Sequence, residues 1–429
     1  MDRIPYIIIG NSVAAVSAVE GIREVDAEGP ITIVAKEPHH CYSRPLISYW
    51  LAGKLDDRRM SYRNPDFYET NNVRAILGVE AKRIDPEKRT VELSDGRSLP
   101  FEKLLIATGS RPILLPDVMA AKLRGVFTFS GWDDARAIRD FMEHNCVRRA
   151  VVVGGGLIGI KSVEALVASG VKATIVELAG HLLSGTFDTT ASALAQQRLE
   201  KTGVQVRCGT TIARLTGQDG KVTGAVLRDG EEIPCDIVIL AVGVIPNTGV
   251  AEGTGIRVDR GILVDNFMQT SVSGIYAAGD VAQAMDTLSG TRRPMPIFPN
   301  AFRQGLIAGR NMAGLRQSYA GGVNMNSIDI MGLPTISVGI AEAQGDGYEV
   351  LRVLDKDKPA YRKIILKGDR IVGAVFVGEI DRAGIVTGLI REGVGVAGFK
   401  ELLLSEEFGV ISLPANYRKH LVSGPGVEV

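Results

Sequence analysis

Two short runs of small residues are the part of this chain best suited to chemistry. In GGGLIG, Gly154, Gly156 and Gly159 take the spacing GxGxxG, with Ile158 between the last two. A strand-like run, AVVV, precedes it and a helical pattern follows. In that setting the first glycine makes a tight turn and the second lets a pyrophosphate approach the backbone. The third lets helix and strand pack closely. A helix start offers free N–H groups and a partial positive charge, which suits phosphates. Glu177 lies 23 residues past Gly154, at the end of the next strand-like run. Its carboxylate can accept hydrogen bonds from adenosine ribose hydroxyls and would repel a 2′-phosphate, so NADH is expected over NADPH. A second run, GNSVAA, is the same turn with substitutions. Gly10 stands first, Ser12 second and Ala15 third, with Ala14 beside it, and Glu37 supplies the acid. A bare GxGxxG is weak evidence; strand, helix and acid in order make it strong.

Each run sits in the same order of elements, used twice. The segments Ile4–Pro112 and Ala150–Asn247 each open on an apolar strand, turn through small residues into a helix, and continue to a strand ending in an acid. Each then carries a turn-rich stretch with Asp-Gly pairs, which signal hairpins. Each closes on an apolar strand, LLIATGSRP and IVILAVGVIPN. The repeat predicts an α/β chain with two Rossmann-like domains. A third run, SGIYAAGDVA, comes too soon to start another domain and is expected to return to the first sheet. The last hundred or so residues alternate strand patterns around a Gly-Asp turn before one helix, and predict a small α+β domain. The boundaries expected are 1–112 and 246–322 for the first domain, 113–245 for the second and 323–429 for the third.

Composition excludes several classes. The chain has 429 residues, enough for about three domains. Lys plus Arg and Asp plus Glu are each 49, so the basic excess of a nucleic-acid binder is absent. The longest apolar runs are about half a membrane span, and the first residues lack a signal-peptide layout, so a cytoplasmic protein is expected. Cys41, Cys146, Cys208 and Cys235 form no CxxC or CxxxxC, and the five histidines are scattered. No metal site and no iron–sulfur cluster is expected within the chain. Glycine, at 50 residues against roughly 30 at average usage, is the outlying figure.

Two dinucleotide motifs, the ATG at 107–109, the later AAGD and the run YSRPLIS together resemble the FAD-dependent pyridine nucleotide-disulfide oxidoreductase family. The resemblance covers essentially the whole chain. Within the family the chain looks like the flavin part of nitrite reductase and the NADH-linked FAD subunits of phenylglyoxylate dehydrogenase and tungsten aldehyde oxidoreductases. It implies a glutathione-reductase-like fold, with FAD on the first Rossmann domain and NAD on the second. By that resemblance Ala107, Thr108 and Gly109 lie along the FAD pyrophosphate, and Gly279 and Asp280 meet the ribityl chain. Arg44 and Pro45 flank the isoalloxazine ring, Ala81 also lines the FAD site, and Gly243 with Pro246 borders the nicotinamide. The helix opening near Asn300 and Ala301 aims its start at the flavin, where reduction builds negative charge that a helix N-terminus stabilises.

The chain departs from the family in two ways. The region that carries CxxxxC in disulfide reductases reads CYSRPLISYWLAGK, so Cys41 is not read as a redox thiol, and His420 lacks the neighbourhood of the family's proton-relay histidine. Relatives that pair Glu with Lys beside flavin N5 have Lys161 and Tyr49 at those positions here. Lys161 is therefore the candidate catalytic cation at the flavin–nicotinamide contact. The expected activity is an FAD-dependent NAD(H) oxidoreductase that exchanges electrons with a one-electron iron–sulfur partner. The chain would be the NAD-reducing flavin subunit of a larger complex, with a homodimer through the C-terminal domain as a further possibility. A freestanding NADH:rubredoxin or ferredoxin reductase and an NADH oxidase are the competing activities. A redox-sensing flavoprotein without turnover is the competing class.

Overall fold

The computed structural model describes residues 5–355, 357–415 and 418. The first sheet contains β1 (Tyr6–Ile9), β2 (Ile31–Ala35), β3 (Val73–Leu77) and β4 (Lys103–Ile106). Between β1 and β2 lies α1 (Val13–Arg23), and between β2 and β3 lies the short α2 (Ile47–Leu51). The second sheet contains β5 (Val126–Thr128), β6 (Arg149–Val153), β7 (Lys172–Glu177), β8 (Gln205–Cys208) and β9 (Ile237–Leu240). Its helices are α3 (Trp132–His144), α4 (Leu157–Ala168) and α5 (Thr189–Glu200). The chain then gives the first sheet a fifth strand, β10 (Ile275–Ala277), and runs into α6 (Phe298–Met312).

Both sheets are parallel, in the orders β10-β4-β1-β2-β3 and β8-β7-β6-β9-β5. Parallel strands covered on both faces must be apolar throughout, and YIII and IVIL are buried at every residue. Each unit also carries a three-stranded antiparallel excursion, from Ala81 and from Ile212. The two Rossmann-like units are joined by paired crossovers, Ser110–Pro112 antiparallel to Val244–Pro246.

Helix α1 is made of small residues and is buried along nearly its whole length. It packs against α6 at contacts only glycine permits. A Cβ at Gly305 would stand 2.1 Å from the Ala14 carbonyl oxygen, and one at Gly309 would stand 2.2 Å from that of Ala18. The same contact seen from α1 puts a Cβ at Gly21 2.4 Å from the Leu306 oxygen. These approaches set where the start of α6 points.

The third unit is an antiparallel sheet of β11 (Met325–Ile330), β12 (Leu333–Gly339), β13 (Tyr348–Leu354), β14 (Tyr361–Lys367) and β15 (Arg370–Val377). Its order is β11-β12-β15-β14-β13, and α7 (Ala383–Glu392) covers one face. The other face is not left to solvent. Ile330, Leu333, Tyr361 and Val375 share a core with Ile160, Val163 and Phe187 of the second unit. His420 lies outside the described residues.

Candidate functional site

The two glycine turns have the geometry their spacing requires. Gly10 has φ +126°, and a Cβ there would meet the Ala107 carbonyl oxygen at 2.1 Å. Gly154 has φ +108°, with the Ala241 oxygen 2.3 Å from its Cβ position. A Cβ on Gly159 would stand 1.9 Å from the Gly154 oxygen, so α4 leaves the turn in contact with it. Gly156 has open space where its side chain would be. Neither Ser12 nor Gly156 gives its helix a side-chain cap, and α6 is likewise uncapped at Ile297. All three helix starts thus lack a side-chain cap from the residue before them, and the two glycine turns bring backbone tightly against backbone, leaving open space at Gly156. This arrangement fits the phosphates of two dinucleotides.

Glu177 closes over the second turn. Its carboxylate accepts from the Gly155 N–H at 2.5 Å and from the Ala179 N–H at 2.7 Å. Ile158 and Gly159 open α4 behind it. On the first turn, Asn11 does the fastening. Its side chain donates to the His39 carbonyl at 3.1 Å and accepts from the Tyr68 hydroxyl at 2.9 Å. Ala14 and Ala15 are buried in α1. The Gly78 N–H bonds the Glu37 carbonyl at 3.3 Å, which brings the segment leading to Ala81 alongside Glu37.

The far wall comes from the chain's return to the first sheet. Asp280 accepts from the Ser110 hydroxyl at 2.8 Å. Burial pushes its carboxyl up, while Ser110 and the charge of Arg44 oppose the rise. Gly279, at φ +81°, packs against Ala14 and Ala301 and donates its N–H to Gln304 at 2.8 Å. The hydroxyl of Thr108 bonds the Asn247 carbonyl at 2.7 Å, and the Asn247 N–H bonds the Gly109 carbonyl at 2.9 Å. Ala107, Thr108 and Gly109 are thereby tied to the second crossover. Gly243, at φ +116°, accepts from the Ile113 N–H at 2.9 Å beside them. Asn300 and Ala301 form the buried first turn of α6.

The structure gives two of the expected site residues protein partners. The sequence reading divides Glu37 and Arg44 between the ribose and the ring. The structure makes them one unit, with Arg44 Nη2 bonded to Glu37 Oε1 at 2.9 Å and Nη1 to the Ser130 carbonyl at 2.7 Å. Burial works against the Arg44 charge, and Tyr42, Glu37 and Asp280 together outweigh it. Arg44 thus links Glu37 to the Ser130 carbonyl and feels the charge of Asp280, in the trough these residues line; Pro45 follows it in a single 3-10 turn.

Lys161 is not a free cation. Its ammonium bonds Glu164 Oε2 at 2.6 Å and the Asp329 carbonyl at 2.6 Å, and lies 5.6 Å from the centre of the Tyr49 ring. A carboxylate less than one turn on, that of Glu164, pairs with the lysine. Glu164 also accepts from the Met331 N–H at 2.6 Å, and Arg198 donates to the Met331 carbonyl at 2.6 Å. Lys161 therefore belongs to a joint that meets Tyr49 on α2 and clamps the β11–β12 turn onto α4 and α5. Glu164 and the partners of Met331 are the residues sequence reasoning missed; no motif marks them because the contacts span over a hundred residues.

Cys41 is fully buried, with its thiol pushed up to about 11 by burial. Its sulfur lies 3.4 Å from His40 Nδ1. A thiol so held is protonated at neutral pH and is a poor nucleophile. Among the described residues no group of three His, Cys, Asp or Glu could hold a metal ion. No described helix is long and apolar enough to cross a membrane.

Two parallel Rossmann-like sheets, each with a phosphate-ready helix start, and an antiparallel third unit define a two-dinucleotide oxidoreductase. Residues 4–305 match the pyridine nucleotide-disulphide oxidoreductase family, and residues 325–394 match the rubredoxin NAD⁺ reductase C-terminal domain. The chain belongs to this family, and is an oxidoreductase that uses FAD and NAD(H). It is 34% identical to the NADH-dependent phenylglyoxylate dehydrogenase subunit epsilon of Aromatoleum evansii, over 91% of this chain and 92% of that one. It is 30% identical to the nitrite reductase [NAD(P)H] of Bacillus subtilis (strain 168), over 99% of this chain but 52% of that protein, so it spans about half of that relative. A crystal structure of a covalent putidaredoxin reductase–putidaredoxin complex superposes with a TM-score of 0.84 at 27% identity, over 91% of this chain and 94% of that one.

Proposed function

We propose that this chain is the NAD(H)-linked flavin subunit of a larger cytoplasmic oxidoreductase, exchanging electrons between NAD(H) and a one-electron iron–sulfur partner. The observation that carries the reading is the burial of Cys41, which pushes its thiol up to about 11 and makes it a poor acceptor of electrons. Those electrons then leave through something outside the chain. Likeness over nearly the full length of the phenylglyoxylate dehydrogenase epsilon subunit favours a subunit of a complex. A freestanding reductase is the second reading, favoured by the likeness to putidaredoxin reductase over 91% of the chain.

In this reading Gly10, Ser12, Glu37, Arg44, Gly109, Asp280 and the start of α6 hold FAD. Gly154, Gly156, Gly159, Glu177 and Gly243 hold the nicotinamide dinucleotide. Bound FAD supplies a ring that accepts a hydride and releases electrons singly. The chain's part is placement and charge. Arg44 offsets the acids of the trough, and the start of α6 sets a positive potential over the ring. Lys161, neutralised by Glu164, keeps α4 in register with the third unit.

The test reduces the purified holoprotein with NADH without oxygen and follows the flavin absorbance on mixing with air-saturated buffer or with an oxidised ferredoxin. Slow return in air and fast return with ferredoxin are expected. Return in air as fast as with ferredoxin overturns the reading in favour of an oxidase. Glu177→Gln checks the coenzyme side with an artificial acceptor. Glutamine keeps one acceptor oxygen and leaves a Gly155 or Ala179 N–H unpaired. The KM for NADH should rise roughly five- to a hundredfold while discrimination against NADPH falls.

A further inference from the structure

The segment after α6 doubles back to the start of that helix, and it leaves there a buried tyrosine that the site above does not use. Tyr319 is 4% exposed and is anchored by its N–H on the Asn266 carbonyl at 2.6 Å. Its hydroxyl is buried, makes no close hydrogen bond among the described residues, and has the Gln304 side chain as its nearest hydrogen-bonding influence. In native interiors nearly every buried hydroxyl is engaged, so its nearest polar neighbours matter.

The surroundings of that hydroxyl are polar. A Cβ on Gly322 would stand 2.8 Å from the Tyr319 hydroxyl oxygen and 2.8 Å from Asn300 Nδ2. Both groups therefore press on the space a side chain at 322 would fill, which is why glycine stands there. Asn300 donates to the Val323 carbonyl at 3.3 Å, and Gln304, one turn on, accepts from the Gly279 N–H at 2.8 Å. Burial pushes the Tyr319 hydroxyl up, and a long hydrogen bond from the Gln304 side chain is the first effect opposing that rise. Tyr319, Asn300 and Gln304 thus form a polar column beneath the first turns of α6, ending on the residue before Asp280.

We propose that Tyr319 is a positioning residue for the flavin. Its hydroxyl accepts from the Gln304 side-chain amide, and because the Gln304 oxygen holds the Gly279 N–H, this fixes the first turns of α6 against Gly279 and Asp280. The aim of the helix start at the ring, and with it the stabilisation of the reduced ring's negative charge, depends on that bond. The inference rests on the FAD reading of the trough.

Tyr319→Phe removes one oxygen and keeps the ring. In an anaerobic titration against a reference dye, the ratio of reduced to oxidised flavin at a fixed dye ratio should fall about three- to tenfold. The rate of flavin reduction by NADH should fall with it, and the melting temperature should stay close to that of the wild type. Gly322→Ala intrudes on the same cluster from the other side and should move the ratio in the same direction. A Tyr319→Phe holoprotein with unchanged ratio and rate overturns the proposal, whether or not it melts higher. A wild-type chain that takes up no FAD overturns instead the reading of the trough.

Discussion

A Gly159→Ala protein should purify yellow and stay yellow when NADH is added. The added Cβ would stand 1.9 Å from the Gly154 carbonyl oxygen and 3.0 Å from its carbon, so α4 must move off the turn by more than an ångström. Neither atom can swing aside, because both are backbone at the end of a buried parallel strand. A displacement of that size in the group that orients a reactant costs roughly a hundredfold in rate. The loss should appear as slow flavin reduction by NADH in an anaerobic stopped-flow trace. Reduction by dithionite should be normal, since Gly10 and Asp280 lie in the other unit. The companion change Gly10→Ala, at φ +126° and 2.1 Å from the Ala107 oxygen, should instead give colourless protein. If Gly159→Ala is reduced by NADH at the wild-type rate, α4 does not hold the dinucleotide.

The two glycine turns were legible because phosphate binding places strict demands on a short run. One residue must take positive φ, another must leave open space, and an acid must follow at strand length. All of that lies within about 25 residues, so pattern alone reveals it. The third run, at Ile275–Ala277, was legible for a similar reason: an apolar strand too close to the last one has to join an existing sheet. The partners of Arg44 and Lys161 were not legible, because some of them come from other units. Glu37 and Ser130 are 7 and 86 residues from Arg44, and Asp329 is 168 residues from Lys161. A family pattern transfers a position, but the charge at that position depends on neighbours the pattern does not contain. Glu164 shows the point. It reads as a surface acid on a helix, yet its two oxygens hold Lys161 and the Met331 N–H. The glycines of the α1–α6 crossing were visible as residues but not as a contact, because Ala18 and Gly309 meet only in three dimensions.

The same kind of long-range pairing makes Lys363→Met a strongly destabilising change. Lys363 Nζ bonds Asp188 Oδ2 at 2.7 Å, with side chains 7% and 8% exposed. The Tyr361 hydroxyl donates to the same oxygen at 2.7 Å, while the other oxygen caps α5 through the Ala191 N–H at 2.9 Å. Burial alone would raise the Asp188 carboxyl, but the Ala191 N–H, Lys363 and Tyr361 outweigh it and hold it below the usual carboxylate range. Methionine fills the lysine's volume and leaves the carboxylate buried with two neutral donors. Breaking such a pair costs about 3–5 kcal/mol, and the lower end applies because two hydrogen bonds remain. A fall of roughly 5–10 °C in melting temperature is expected. The pH dependence has a definite sign. A depressed carboxyl contributes stability that is complete above its unfolded pKa, near 3.9, and is lost as pH falls through the lower folded value. Without Lys363 burial regains ground and the folded value rises, so acid unfolding followed by circular dichroism should begin at higher pH. Flavin content at neutral pH should not change, because the pair joins the second unit to the third and touches no residue of the FAD trough. A melting temperature within about 2 °C of the wild type would mean that the shared apolar core around Ile330, Leu333 and Val375 holds the third unit without the buried charge.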